Sequence, residues 1–200
     1  MKKLLAAFVS IAALASADAA LAQAPGAHQH DGFYLNLDLG FGAMSSSTTS
    51  LGSDLKLSGA AGEFSVAAGF ALTNNFIIAG QVWGTSVSDP TLEVDGVDLG
   101  SADATLSLTG VGLNLVYYFM PLNLYLSATP SLAMLSLESG GLTYDTENGF
   151  GLRFAVGKEW WVSDNWAIGL NGQIAFTSND DAGSTWTTRW FGVAFSATYD

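Results

Sequence analysis

The chain has 200 residues, no cysteine and a formal net charge of −12. This acidic balance disfavours nucleic acid as a partner, because phosphate binding depends on Lys and Arg. Without cysteine there is no disulfide framework and no thiolate metal site. The 23 glycines would be costly in helices but suit narrow, bent β-strands. These features favour one all-β domain.

The first 22 residues have the pattern of a secretory signal. Lys2 and Lys3 precede an apolar stretch at 4–15, and small residues close the segment at 20–22. The apolar stretch is shorter than the roughly 20 residues that a membrane-spanning helix needs. We therefore predict a cleaved signal peptide at 1–22, followed by a flexible leader at 23–31.

Eight runs of alternating residues follow the leader. In the first, at 32–44, apolar Phe33, Leu35 and Leu37 alternate with Tyr34 and Asn36, and a period of two puts each set on one face of a strand. The other seven strands are predicted, in chain order, at 55–72, 76–87, 104–119, 122–137, 149–162, 166–177 and 185–199. Short turns at 73–75, 120–123 and 163–165 alternate with longer loops at 45–54, 88–103, 138–148 and 178–184.

Two strands have an irregular pattern. In the fourth, the apolar residues change from even positions such as Leu108 to odd positions such as Val111, which predicts a β-bulge near Gly110. In the fifth, Pro130 cannot donate to a ladder, and Leu135 is out of phase with the residues before it. We predict a second irregularity in the upper half of that strand, and a lipid-binding side opening would have to lie there.

The distribution of apolar and polar residues between the two faces of the strands favours a barrel in lipid. Large apolar residues occupy one face and small or polar residues the other, as expected when the outside meets hydrocarbon. We predict an eight-stranded, antiparallel, up-and-down transmembrane β-barrel at 32–200. An even strand count puts both termini on one side, which we expect to be the periplasm of a bacterium. Aromatic residues cluster at the short-turn ends, where an interfacial girdle belongs: Phe76, Tyr117, Phe119, Trp160, Trp166 and Tyr199, with Tyr118 and Trp161 beside them.

Two segments carry a family resemblance. The hairpin at 157–166, Gly-Lys-Glu-Trp-Trp-Val-Ser-Asp-Asn-Trp, resembles a hairpin of small bacterial outer-membrane β-barrel proteins of the OmpA, OmpX and OmpW type. The closing alternation resembles their C-terminal assembly signal, which would comprise Phe191, Val193, Phe195, Ala197 and Tyr199. The family's signal usually ends on an aromatic residue, whereas here Asp200 follows Tyr199. The resemblance implies outer-membrane lipid, lipopolysaccharide and the barrel-assembly machinery as partners.

The alternation also predicts a polar lumen, formed by Asp38, Glu63, Gln81, Asn114, Arg153, Glu159, Asn171 and Gln173. An eight-stranded barrel is barely wide enough for its own side chains. An unpaired buried guanidinium would be costly, so Arg153 should hydrogen bond with Asp38 or Glu63. We predict a plug of side chains. The alternative is a gate that opens a narrow channel for ions or small solutes.

Other functions have less support in the residues. A hydrolase triad needs a positioned histidine, and His28 and His30 both fall in the leader, so we expect no enzyme, no metal and no cofactor. Many carboxylates lie in or beside the four longer loops, without a regular calcium-binding spacing. We therefore predict a non-enzymatic surface or structural protein whose loop ligand is not specified.

Overall fold

The structure is a computed structural model that describes residues 30–50, 52–120, 122–181 and 183–200. The predicted signal peptide and the leader before His30 lie outside the described residues. Within the described residues there are eleven β-strands, and no helix there is long and apolar enough to cross a bilayer. The strands are β1 (Phe33–Ser50), β2 (Ser53–Thr73), β3 (Phe76–Ser88), β4 (Thr91–Val94), β5 (Val97–Ser101), β6 (Thr105–Phe119), β7 (Leu124–Ser139), β8 (Leu142–Asp145), β9 (Gly149–Trp161), β10 (Trp166–Asp181) and β11 (Ser184–Tyr199).

Eight long strands close into an antiparallel barrel. Around it the order is β1, β2, β3, β6, β7, β9, β10 and β11, and β11 pairs again with β1. The three short strands extend one end: β4 and β5 form a hairpin beside β2, and β8 pairs with β7. The eight-stranded antiparallel barrel predicted from the alternation is confirmed.

The alternation sets which residues face inward. On β1, Asn36 and Asp38 are buried, whereas Phe41 on the opposite face is 66% exposed. On β11, Phe195 is 67% exposed while its neighbours Ala194 and Ser196 are buried. Large apolar side chains thus cover the outside of the barrel, the reverse of a soluble protein.

The two ends of the barrel differ. We call the end with Asp200, the start of β1 and the three short connections between long strands the terminal end, and the opposite end the loop end. At the loop end the predicted loops are largely strand: β1 runs to Ser50 and β2 begins at Ser53, which pairs with it. The predicted loop at 45–54 is therefore wrong. Its Ser and Thr side chains suit paired strands, as in the 2.8 Å hydrogen bond between the hydroxyls of Ser46 and Thr188.

The predicted bulge near Gly110 is also wrong. The β3–β6 pairing keeps one register from Phe76↔Tyr117 to Ser88↔Thr105, through Gly110. The apolar phase changes because Leu106 and Leu108 face the interior, where both are 1% exposed. The interior itself becomes apolar toward the loop end.

Pro130 interrupts one ladder but shifts no register. Between β6 and β7 the pairs stop at Gly112↔Ser131 and resume in the same register at Leu115↔Ala128. On its other side, Pro130 is paired with Leu152 within a continuous β7–β9 register. The irregularity predicted in the upper half of this strand is wrong, because Leu135 is simply another inward-facing apolar residue.

Candidate functional site: the filled barrel interior

The interior consists of three layers. At the loop end is an apolar layer, in the middle a polar layer, and at the terminal end a layer of tyrosines around Glu159. The apolar layer comprises Met44, Leu57, Ala61, Trp83, Val87, Leu106, Leu108, Ala133, Leu135, Ala175 and Trp190.

Two tryptophans dominate the apolar layer. Trp83 of β3 and Trp190 of β11 are each 1% exposed. Gly110 of β6 provides the space for the Trp83 ring, since a Cβ at that glycine would lie 2.4 Å from the indole. Gly110, where we predicted a bulge, instead leaves room for a large side chain. An alternation that is polar inside for part of a strand and apolar for the rest is the sequence signal for such a layer.

Arg153 is the centre of the polar layer. Its Nη2 donates to Glu63 Oε1 at 2.6 Å and to Asp38 Oδ2 at 3.4 Å, so both carboxylates considered as its partners accept from it. Its Nε donates to Gln173 Oε1 at 3.1 Å. Arg153 lies on β9 and Glu63 on β2, which are four strands apart in a ring of eight. This ion pair therefore crosses the lumen.

Neutral side chains extend the network around the wall. Asp38 accepts from Asn171 at 3.1 Å, and Asn171 accepts from Gln173 at 2.7 Å. Thr129 donates to Gln81 at 2.7 Å and to Asn114 at 3.2 Å. Seven of the eight residues expected in the lumen lie in this layer, and Glu159 does not. Ser65 donates to Asp38 at 2.9 Å and accepts from Gln81 at 3.3 Å, so that Ser65 and Thr129 connect Asp38 to Asn114 through Gln81. Neither was predicted as part of the network, because a small hydroxyl on an inward position carries no distinctive signal.

Glu159 lies in the terminal layer instead. Its Oε1 accepts from Thr198 at 2.6 Å and its Oε2 from the Tyr118 hydroxyl at 3.2 Å. Tyr34, Tyr118 and Tyr125 are buried around it. Tyr118 therefore faces inward and is not part of an outer aromatic girdle.

His30 is the residue that sequence reasoning misplaced. We expected it in a flexible leader, but its side chain is fully buried at the terminal end. The ring stacks on Tyr118 with centroids 3.5 Å apart. Its Nδ1 lies 2.9 Å from Asp200 Oδ2 and its Nε2 2.7 Å from Asn123 Oδ1. A single histidine three residues before a strand gives no sequence signal for such a position.

The other expected positions lie on the outside. The six girdle residues point away from the lumen at the terminal end, where Tyr117 contacts Phe119 at 4.9 Å and Trp166 contacts Tyr199 at 5.3 Å between ring centroids. Phe191, Val193 and Phe195 of the closing segment are exposed on the outer face of β11, with Ala197 and Tyr199 partly buried there. Their roles in the membrane interface and in assembly stay predictions.

The loop end carries many carboxylates. Lys56 on β2 pairs with Glu93 on β4 at 2.9 Å, and both are partly exposed. Across the described part of the chain, no three His, Asp or Glu side chains are placed to bind one metal ion.

Comparison with known proteins agrees with this architecture. The model of the outer membrane protein beta-barrel domain matches residues 5–198. No curated protein matches the sequence. Among solved structures, Neisserial surface protein A (NspA) has a TM-score of 0.60 at 19% identity, covering 84% of this chain and 96% of that chain. The outer membrane protein OprG from Pseudomonas aeruginosa has a TM-score of 0.50 at 12% identity, covering 85% and 97%.

Proposed function

Because the chain belongs to the outer membrane protein β-barrel domain family, we propose that it is a non-enzymatic outer-membrane barrel with a closed lumen and a structural or surface-interaction role. The observation that carries this proposal is the ion pair from Arg153 to Glu63 across the lumen. It lies directly beneath an apolar layer that contains two buried tryptophans. Together these layers of side chains fill the narrow lumen of an eight-stranded barrel, which opposes the entry of water and ions.

The proposal places the termini in the periplasm. The three connections at the terminal end are short, whereas the loop end carries the extended hairpin of β1 and β2, the β4–β5 hairpin and β8. Outer-membrane barrels have short periplasmic turns and longer extracellular loops. This asymmetry supports an orientation in which the acidic loop end faces the exterior.

A non-enzymatic role is supported by the surroundings of the one described histidine. Both ring nitrogens of His30 already face side-chain oxygens, and the ring has no solvent exposure. A general base needs a nitrogen that can reach the substrate. His30 is therefore better suited to structure than to proton transfer.

The proposed partners follow from the two surfaces. The exposed Phe and Leu side chains of the outer face suit outer-membrane lipid, including lipopolysaccharide in the outer leaflet. The residues of β11 that face outward suit recognition by the barrel-assembly machinery: Phe191, Val193, Phe195, Ala197 and Tyr199. The acidic loop end would present itself to a partner at the cell surface.

Conductance in planar bilayers tests the closed lumen. The chain is refolded in detergent, and its heat-modifiable gel migration shows that the barrel has formed. We expect a folded barrel without discrete conductance steps. Reproducible single-channel steps from the folded protein would instead establish the narrow channel and reject the closed lumen.

A further inference from the structure

His30 precedes the first barrel strand, and yet its backbone carbonyl and amide both form hydrogen bonds. Its carbonyl accepts from the Asn75 amide at 2.9 Å, and its own amide donates to Asn75 Oδ1 at 3.3 Å. Asn75 belongs to the short turn between β2 and β3. His30 is therefore fixed to this turn, and its imidazole is directed into the mouth of the barrel.

Asp200 is fixed from the other side of the same mouth. Its amide donates to the Asn165 carbonyl at 3.1 Å, and Asn165 Nδ2 donates back to the Asp200 carbonyl at 2.9 Å. Asp200 follows directly after Tyr199, which forms the last β1–β11 pair with Leu35. The 2.9 Å contact between His30 and Asp200 thus spans the seam at which the sheet closes on itself.

With the Asn123 amide oxygen turned toward the ring, the ring contacts fit a protonated imidazole. Both nitrogens face oxygen atoms, of Asp200 and of Asn123, and both can donate only when the ring is an imidazolium. A neutral ring could keep its Nδ1 proton on Asp200, but Asn123 would then have to turn its amide nitrogen toward the ring. In the observed orientation that nitrogen has no hydrogen-bond partner among the described residues, and turning the amide toward a neutral ring would give it one, so loss of the proton would be accompanied by a turn of the Asn123 amide.

We propose that His30 and Asp200 form a protonation-dependent clasp that joins the two ends of the barrel domain and locks the β1–β11 seam. The ionisable groups packed around the ring are Asp200 after β11, Glu159 on β9 and Tyr118 on β6. The remaining neighbours, Asn123 and Trp161, are neutral. The extra residue after the final aromatic position therefore has a specific partner.

The direction of the pH effect follows from this environment. Burial disfavours the imidazolium, but the hydrogen bond and charge of Asp200, the hydrogen bond with Asn123 and the charge of Glu159 together raise the pKa of His30 above 6.5. A raised pKa in the folded state means that the clasp contributes fully below pH 6.5 and is lost as pH rises through the folded value. The seam should be most firmly closed under mildly acidic conditions.

Histidine NMR tests the clasp directly, because the sequence has only two histidines. The imidazole signals of the refolded chain in micelles are titrated, with His28→Gln used to assign His30. We expect His30 to titrate above 6.5 and Asp200→Asn to lower its midpoint by about one pH unit. Asp164→Asn, which removes an exposed carboxylate from a turn at the same end, should leave it unchanged.

Unfolding in urea gives the second readout. We expect the urea concentration at the wild-type unfolding midpoint to decrease as the pH is raised from 6 to 9. This decrease should be smaller in His30→Gln. The proposal is rejected if wild-type His30 titrates at or below 6.5, or if Asp200→Asn and Asp164→Asn shift it equally. The wild-type titration decides the matter even if a variant does not fold, and it is independent of whether the lumen conducts.

Discussion

A single guanidinium connects opposite walls of the barrel. Arg153 is only 3% exposed, so water contributes little to stabilising its charge. That charge is balanced by Glu63 and Asp38, which are 5% and 4% exposed. A buried ion pair is weak support for stability when compared with a hydrophobic replacement, but removing one partner leaves an uncompensated charge. Arg153 therefore stabilises the barrel chiefly by neutralising two carboxylates that would otherwise be buried without a cation.

Replacing Arg153 should destabilise the folded barrel strongly. We expect Arg153→Met to lower the free energy of unfolding by about 3–5 kcal/mol, because two carboxylates remain buried without their cation. Urea unfolding in micelles, followed by tryptophan fluorescence, measures the change. The matched control is Arg189→Met, which removes an exposed arginine from β11 and should have an effect within about 0.5 kcal/mol.

A double variant separates charge from shape. If the loss comes from unpaired carboxylates, Arg153→Met combined with Glu63→Gln should recover part of the stability, since the remaining buried charge is smaller. A double variant that is less stable than Arg153→Met by the full cost of Glu63→Gln alone would show that the two residues act independently.

At the scale of the strand, β6 combines two interior environments in one register. Its lower half places Asn114 in the polar layer, and its upper half places Leu106 and Leu108 in the apolar layer. Gly110 lies between them, where the Trp83 ring crosses from β3. A strand can thus change the chemistry of its inner face without a bulge.

Filling the space at Gly110 should disturb this contact. A Cβ there would lie 2.4 Å from the rigid Trp83 ring, so Gly110→Ala should cost about 1–3 kcal/mol of unfolding free energy. Gly172→Ala is the matched control, because a Cβ at Gly172 meets no atom within 4 Å. Combining Gly110→Ala with Trp83→Phe should cost less than the sum of the two single changes. Equal losses for the two alanine variants would contradict the assigned role of Gly110.

The strands could be predicted more fully than their ends. A period of two identifies an outward face from local residues alone, so the eight barrel strands follow from the sequence. The loop-end hairpins were missed because Ser and Thr at 45–50 satisfy loop composition and strand pairing equally well. The burial of His30 depends on contacts with Asp200 and Tyr118, which are distant in sequence and leave no local pattern. The apolar layer does leave a local pattern, the change of apolar phase at Leu106 and Leu108, but a bulge would produce the same pattern.

At the scale of the whole molecule, the barrel is closed in two chemically different ways. The polar layer holds water-compatible side chains in a network that draws on seven of the eight strands. The apolar layer above it contains Trp83 and Trp190, whose Nε1 atoms have no hydrogen-bond partner within the described residues. An ion that reached the polar layer from the loop end would have to leave water and cross this apolar layer first.

Removing both tryptophans should therefore open the loop-end side of the barrel. We expect Trp83→Ala combined with Trp190→Ala to show discrete conductance steps, while the wild-type barrel stays silent. Planar-bilayer recordings on protein whose folding is checked by heat-modifiable migration make the measurement. Phe191→Ala combined with Phe195→Ala removes two aromatic rings from the outer face of β11 and should leave the barrel silent. If the tryptophan variant folds and does not conduct, the polar layer alone closes the lumen, and the apolar layer serves packing only.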